Sequence, residues 1–415
     1  MKSEPSPTAP RENWRAAWKR ERVLRLAVYA WTLAFLGVLV LAAIRPNEHS
    51  VFTDYWLAGG RWLLGERLYP YGNKFLYSPL AAAWFAAFAF MPLALSGVVW
   101  RILNVLAYSC AIGLGARAFW NEEGAARSLG YGMLALLPLS LSEWSNGQAG
   151  VLVAALIILS LVAAGDGRWQ LVAAAIALST ALKIYPLALG LLLAVFYPRP
   201  LSWRLLVWLA GLFLLSLFLQ HPRYAFAQYH NWLGRLGKDE RRLAGPYGTW
   251  RDAWLLLRMI GVPLRIGAWS ILQTATGLGA ASFCMWGRRA RWSKERSLSA
   301  VLVLGSVWMT LFGPATEAAT YILLAPAVTF ALITSCRQSS PVWLRAGMTT
   351  SYGMLLFADV CNSWIRPKHA VDLVHAIQPL AAVIFLLSAI AWLLADARWP
   401  ASKIAFPENR LSRER

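Results

Sequence analysis

Long apolar runs separated by short polar or basic stretches dominate the chain. The first extends from Leu26 to Ile44. Others fall near 78–94, 97–118, 128–142, 149–165, 169–197, 201–220, 266–285, 298–313, 319–335, 342–360 and 374–396. A helix needs about 20 predominantly apolar residues to cross a bilayer core, so the pattern predicts an all-α polytopic membrane protein. It has about twelve transmembrane helices if 169–197 is one long kinked span. The organisation expected is one transmembrane domain over 23–396 between basic tails at 1–22 and 397–415. The first run exceeds a signal-peptide core of about 7–15 residues and is expected to be a retained helix.

Two stretches are too polar to span and too long for turns, 45–77 and 221–265, and loops of this length carry chemistry more often than structure. Within the first, apolar residues at 52, 55/56, 59 and 62/63 recur at helical spacing. They predict an amphipathic helix lying at the membrane interface. Asp54 falls at its start, where it would serve either as an N-cap or as a general base in a partly desolvated setting.

The region 128–197 resists simple alternation. The run 128–142 is broken by Gly130, Gly132 and Pro138 and ends in Glu143-Trp144-Ser145-Asn146-Gly147-Gln148. Either it spans and delivers Asn146 and Gln148 to the cytoplasm, or it re-enters and returns them to the outer face. In the second case 169–197 is a broken hairpin with Lys183 at its tip.

Composition agrees with the membrane reading. Hydrophobic residues make up 58% of the 415 and charged residues 14%, and mean hydropathy is +0.48. A soluble chain carries about 25% charged residues, so water-soluble domains and disorder are excluded. Forty Lys and Arg against twenty Asp and Glu give a net charge of +20. Because the basic residues gather at run ends and tails, the charge signals topology and contact with anionic membrane lipids rather than nucleic acid. Lys2, Arg11, Arg15, Lys19, Arg20, Arg22 and Arg25 precede the first run and place the N-terminus in the cytoplasm. Alternation then puts 198–204, 287–297 and the C-terminal tail inside as well, a cytoplasmic-membrane protein with both termini cytoplasmic. The cysteines 110, 284, 336 and 361 are widely spaced with no CxxC, so no disulfide framework or thiolate metal site is indicated.

Few residues are placed to carry chemistry. Lys183, in Ala181-Leu182-Lys183-Ile184-Tyr185-Pro186, puts a cation in an apolar run, which makes it a functional candidate with an anion such as a phosphate as its natural partner. A lysine snorkelling to the interface is the alternative, and Glu143 and Asp166 are the acids nearest to it in sequence. The second loop carries Arg223, Arg235, Lys238, Arg241, Arg242, Arg251, Arg258 and Arg265 against Asp239, Glu240 and Asp252. It suits either a headgroup-binding surface or a phosphate clamp. Glu317 and His369 lie at expected outer ends. No GxxxxGK[ST], GxGxxG, HExxH, GxSxG or Asp-x-Asp is present, so nucleotide hydrolysis, zinc proteolysis, serine hydrolysis and a metal or other cofactor have no support.

Several short motifs, taken in order, resemble glycosyltransferase family 87. They are Thr53-Asp54-Tyr55, Gly65-Glu66-Arg67-Leu68-Tyr69, Phe75-Leu76-Tyr77-Ser78-Pro79-Leu80, Asn146-Gly147-Gln148, Ala181 to Pro186, and Pro314 to Pro326 enclosing Tyr321. The resemblance covers about 23–335. It implies a GT-C fold and a membrane-embedded inverting mannosyltransferase. The donor would be a polyprenyl-phosphate sugar and the acceptor a lipid, glycan or protein at the outer face. It further implies Asp54 as the catalytic base and Lys183 as a ligand of the lipid phosphate. Tyr55, Asn146, Gln148, Tyr185, Arg251, Glu317 and Tyr321 would be substrate contacts. Where many members carry a Trp-Asp-His-His-like stretch, this chain has Glu317-Ala318-Ala319-Thr320, so no histidine role carries over. A transporter or lipid flippase is the competing class, but it predicts a repeat relating two halves, and none is visible.

Overall fold

The computed structural model describes residues 13–48, 50–70, 75–120, 124–238, 250–262, 264–338, 340–362 and 371–395, with the backbone alone at 238, 371 and 372. The N-terminal Lys2 and Arg11, the loop residues Asp239, Glu240, Arg241 and Arg242, His369, and the C-terminal tail lie outside the described residues.

Among the described residues every regular element is a helix. They are α1 (Trp14–Arg20), α2 (Arg22–Ile44), α3 (Phe52–Leu64), α4 (Pro79–Ala89), α5 (Leu93–Phe119), α6 (Ala125–Asn146), α7 (Gly150–Gly165), α8 (Trp169–Leu182) and α9 (Pro186–Phe196). There follow α10 (Pro198–Phe218), α11 (Pro222–Lys238), α12 (Ala253–Met259), α13 (Ile266–Arg289), α14 (Lys294–Leu311), a 3-10 helix (Ala318–Leu323), α15 (Ala325–Arg337), α16 (Val342–Val360) and α17 (Val371–Leu394). Among the described residues, four helical stretches are long and apolar enough to cross a membrane by length and composition: Arg22–Ile44, Leu93–Phe119, Pro198–Phe218 and Leu373–Leu394. The four cysteines are unbridged.

The expected interfacial helix is present as α3, and the long helices run between two chemically different ends. At the first, Arg127 at the start of α6 pairs with Glu21, just before α2, at 3.0 Å. Arg117 near the end of α5 lies 5.0 Å from the Trp14 ring. There too Arg288 donates to the Val195 carbonyl and Lys294 to that of Gly165. We call this the basic end. The opposite, loop end carries α3 and residues 250–252, which lead into α12.

The helices α2 and α6 run side by side in the same direction. The Trp31 indole donates to the Met133 carbonyl at 2.7 Å, and Trp31 and Phe35 both pack edge-on against Trp144. Their close approach depends on Gly130, where a Cβ would lie 2.8 Å from the Leu24 backbone nitrogen. Continuous from Ala125, α6 therefore delivers Glu143 to Asn146 to the loop end. There the Asn146 carbonyl accepts from the Val51 amide at 2.9 Å.

That direction departs from simple alternation, and α4 is the cause. With 11 residues, α4 is about 16 Å long, against a bilayer core of about 30 Å. It packs on α3 instead of crossing: the Trp56 indole donates to the Met91 carbonyl, and Phe85 stacks on Tyr55 at 4.5 Å. So α5 starts at the loop end, and α5, α6 and α7 each run opposite to the direction that counting 78–94 as a span assigns. A hairpin restores the parity. The run 169–197 is two helices, α8 and α9, with Trp169 and Tyr197 at its feet only 4.8 Å apart and Lys183 at its tip.

Candidate functional site

Tyr55, Lys183 and Tyr185 converge at the loop end, where α3, the end of α6, the start of α7 and the α8–α9 tip meet. The α3 cap is Val51, so the helix begins two residues before Asp54. Asp54 is not the cap but sits half-buried in the first turn, where a carboxylate gains from the helix dipole. Its neighbour Tyr55 is fully buried. The Tyr55 hydroxyl meets that of Tyr77 in a short hydrogen bond and accepts from the Ala149 amide at 3.3 Å. Tyr55 thus ties α3 to the start of α7.

Lys183 ends α8 in an extended conformation, and Pro186 opens α9 at a position where its missing N–H costs nothing. Lys183, Ile184 and Tyr185 form the tip between the two helices. Ser78 Oγ holds it in place by donating to the Ala181 carbonyl at 2.5 Å. The half-buried Lys183 ammonium lies 5.9 Å from the Tyr77 ring centroid and 5.7 Å from that of Tyr185. It makes no ion pair among the described residues, with Asp54 or with any other acid.

Glu143 is the carboxylate the sequence left among the neighbours of Lys183. It is 2% exposed, and neither of its oxygens has a hydrogen-bond partner. A methyl group at Gly150 would lie 2.6 Å from Glu143 Oε2, so the absent side chain there makes room for the carboxylate. Buried Arg101 of α5 fixes the turn that follows. Its guanidinium donates to the carbonyls of Gly97, Trp144 and Ser145 and to Ser50 Oγ, at 2.6 to 3.2 Å. The bonds to Trp144 and Ser145 satisfy carbonyls that the end of α6 leaves open. Gln148 is buried beside Arg101 and Asn104, and Asn146 sits half-buried at the rim.

A second group closes the site from the other half of the chain. The Arg251 backbone amide donates to the Thr316 carbonyl at 2.8 Å, and the Tyr321 hydroxyl donates to the Arg251 carbonyl at 2.9 Å. Arg251 Nη1 donates to Gln378 Oε1 at 3.1 Å, and Gln378 Nε2 donates to Asp359 Oδ1 at 3.3 Å. Burial pushes the Arg251 guanidinium down to about 10, which leaves it protonated at neutral pH. Glu317 forms a capping box with Thr320 at the 3-10 helix, a structural use of its carboxylate. The preceding turn holds Ala315 at φ 57°, a costly conformation for a residue with a Cβ. A narrow cleft joins the two groups, with Glu143 on one wall and Tyr321, Asp359 and Gln378 on the other.

Sequence reasoning left Tyr77, Arg101, Asp359 and Gln378 without roles and named Glu143 only as a neighbouring acid. For Arg101, Glu143, Asp359 and Gln378 the available signal was the one that singled out Lys183, a polar residue within an apolar run. Among the described residues no group of three or more His, Cys, Asp or Glu comes together. The converging side chains are a lysine, an arginine, carboxyls, an amide and phenols, suited to hydroxyls and a phosphate.

Residues 75–314 match glycosyltransferase family 87. That is 240 of 415 residues, and the protein belongs to this family. The family makes it a membrane glycosyltransferase, acting on a sugar donor and an acceptor. No curated protein matches the chain. The matched segment contains Tyr77, Glu143, Asn146, Gln148, Lys183, Tyr185 and Arg251. Asp54, Tyr55, Glu317 and Tyr321 fall outside it.

Proposed function

We propose that the protein is an inverting glycosyltransferase of GT-C type, with about twelve membrane helices. It moves a sugar, mannose, from a polyprenyl-phosphate donor to a lipid, glycan or protein acceptor at the outer face of the cytoplasmic membrane. The observation that carries the reading is Lys183, a cation at the tip of a broken hairpin, packed between tyrosine rings and without an ion-pair partner among the described residues. Such a group is suited to the lipid phosphate. The N-terminus of α9 begins three residues after Lys183, and its dipole adds to the affinity for an anion. Arg251 is a second cation near the cleft.

In the reaction the acceptor hydroxyl oxygen attacks the anomeric carbon and gives its proton to Asp54. The bond from that carbon to the phosphate oxygen breaks, and polyprenyl phosphate leaves with the electron pair. Lys183 stabilises the charge that grows on the leaving phosphate, the electrostatic help that dominates many such steps. One displacement inverts the anomeric centre. The basic end faces the cytoplasm, in keeping with the excess of Lys and Arg there, and the tails 1–22 and 397–415 flank a single domain on that side. Anionic lipids are the partners of that basic surface.

Transfer from polyprenyl-phosphate mannose by the purified protein tests the reading. Asp54→Asn is expected to abolish transfer and leave the melting temperature unchanged. Near-normal turnover by that variant would remove Asp54 from the base role.

A further inference from the structure

Glu143 has no part in the chemistry described so far, and its surroundings are unusual. A carboxylate buried with no hydrogen bond is among the costlier features a fold carries. Glu143 does not offset that cost by pairing with Lys183, whose ammonium sits over the Tyr77 and Tyr185 rings. Nor is the site crowded into this arrangement, since Gly150 leaves open the space that Oε2 occupies. Both oxygens are buried and unbonded, and Glu143 lines one wall of the cleft. The opposite wall presents Asp359 and Gln378, already bonded to each other and braced by Arg251.

The size and sign of this cleft select its ligand. It has room for little more than one water-sized group, too little for a sugar ring or a phosphate. Two carboxyl groups across it offer an anion no cation, and their oxygens can accept a hydrogen bond from a hydroxyl. We propose that the cleft is a hydroxyl pocket for the transferred sugar, in which one sugar hydroxyl donates to Glu143 against the wall formed by Asp359 and Gln378. The proposal rests on the reading of Lys183 as the phosphate site. The sugar is joined directly to that phosphate, and contacts run from Lys183 through Tyr77 and Tyr55 to Ala149, the neighbour of the Gly150 against which Glu143 sits.

The test uses the full chain in detergent with polyprenyl-phosphate mannose and its monodeoxy analogues, each lacking one hydroxyl, and measures kcat/KM. Wild type should lose roughly 10- to 100-fold with one analogue, the range expected when a buried polar group is left without its partner. Glu143→Gln should lose a similar factor with the complete donor and nothing further with that analogue, at an unchanged or raised melting temperature. A Glu143→Gln enzyme that keeps the full wild-type pattern of deoxy penalties overturns the pocket while leaving the donor reading intact. A uniform loss across all donors with a lowered melting temperature assigns Glu143 a structural role and also overturns it. If wild type transfers from none of these donors, the donor reading fails and takes the pocket with it. Should Glu143→Gln not fold, Asp359→Asn reads the pocket from the facing wall. It is expected to blunt discrimination at the same hydroxyl, and an unchanged pattern refutes the assignment.

Discussion

Each candidate residue has a role that turns on what it touches. Lys183 lies over two tyrosine rings and pairs with no acid among the described residues, so its removal should act on the donor. Lys183→Ala is expected to weaken donor binding and to slow turnover further, because the leaving phosphate gains charge in the transition state. Lys183→Arg should rescue only in part, since its planar fork occupies different space. Donor affinity, turnover and melting temperature on the same preparation decide the matter. A fall in melting temperature at unchanged affinity would retire the phosphate role. Arg101 is the contrasting case, a buried cation consumed by four hydrogen bonds at the end of α6. Arg101→Ala should cost about 3 kcal/mol of stability, read as a lowered melting temperature, because the Trp144 and Ser145 carbonyls at the end of α6 lose their guanidinium donor. Glu317→Gln keeps an oxygen that caps the 3-10 helix and is expected to turn over at near the wild-type rate. A large loss there would give Glu317 a part in the chemistry as well as in the cap.

At the scale of the element, the site depends on interruptions. The break between α8 and α9 brings Lys183 to the loop end, and Ser78 clamps that break while capping α4 through the Ala81 amide at 3.2 Å. Ser78→Ala loses both bonds, about 1–2 kcal/mol together. The tip should loosen, raising KM for the donor more than it lowers kcat. The reverse split would show that the clamp serves the fold rather than the phosphate site. Sequence carried part of this. Lys183 and Pro186 in one apolar run marked an interruption, and a hairpin with Lys183 at its tip was one of two possibilities. The choice depended on α4, and nothing local to 169–197 records that α4 stays at the loop end.

For the whole molecule, the consequence is a topology that labelling can check. Counting 78–94 as a span puts the link between α7 and α8 on the outer side; the structure puts it with the N-terminus, where Lys294 holds the Gly165 carbonyl. In a background without the four native cysteines, Arg168→Cys should be protected from a membrane-impermeant thiol reagent in intact cells. Leu64→Cys, exposed at the end of α3, should react. Labelling of position 168 from outside would invert the arrangement and remove the case for an outward-facing site. The division between what the chain declares and what folding decides follows from range. Apolar run length, basic flanks and the cost of a lone cation in lipid are local quantities, and they alone determine that this is an all-helical membrane protein with Lys183 as a functional candidate. Which helices cross, in which direction, and which polar groups meet are settled by contacts between distant residues. Ser78 meets Ala181 and Arg251 meets Gln378, 103 and 127 positions apart. No window along the chain contains both partners, so the cleft between Glu143 and Asp359 exists only once the helices have packed.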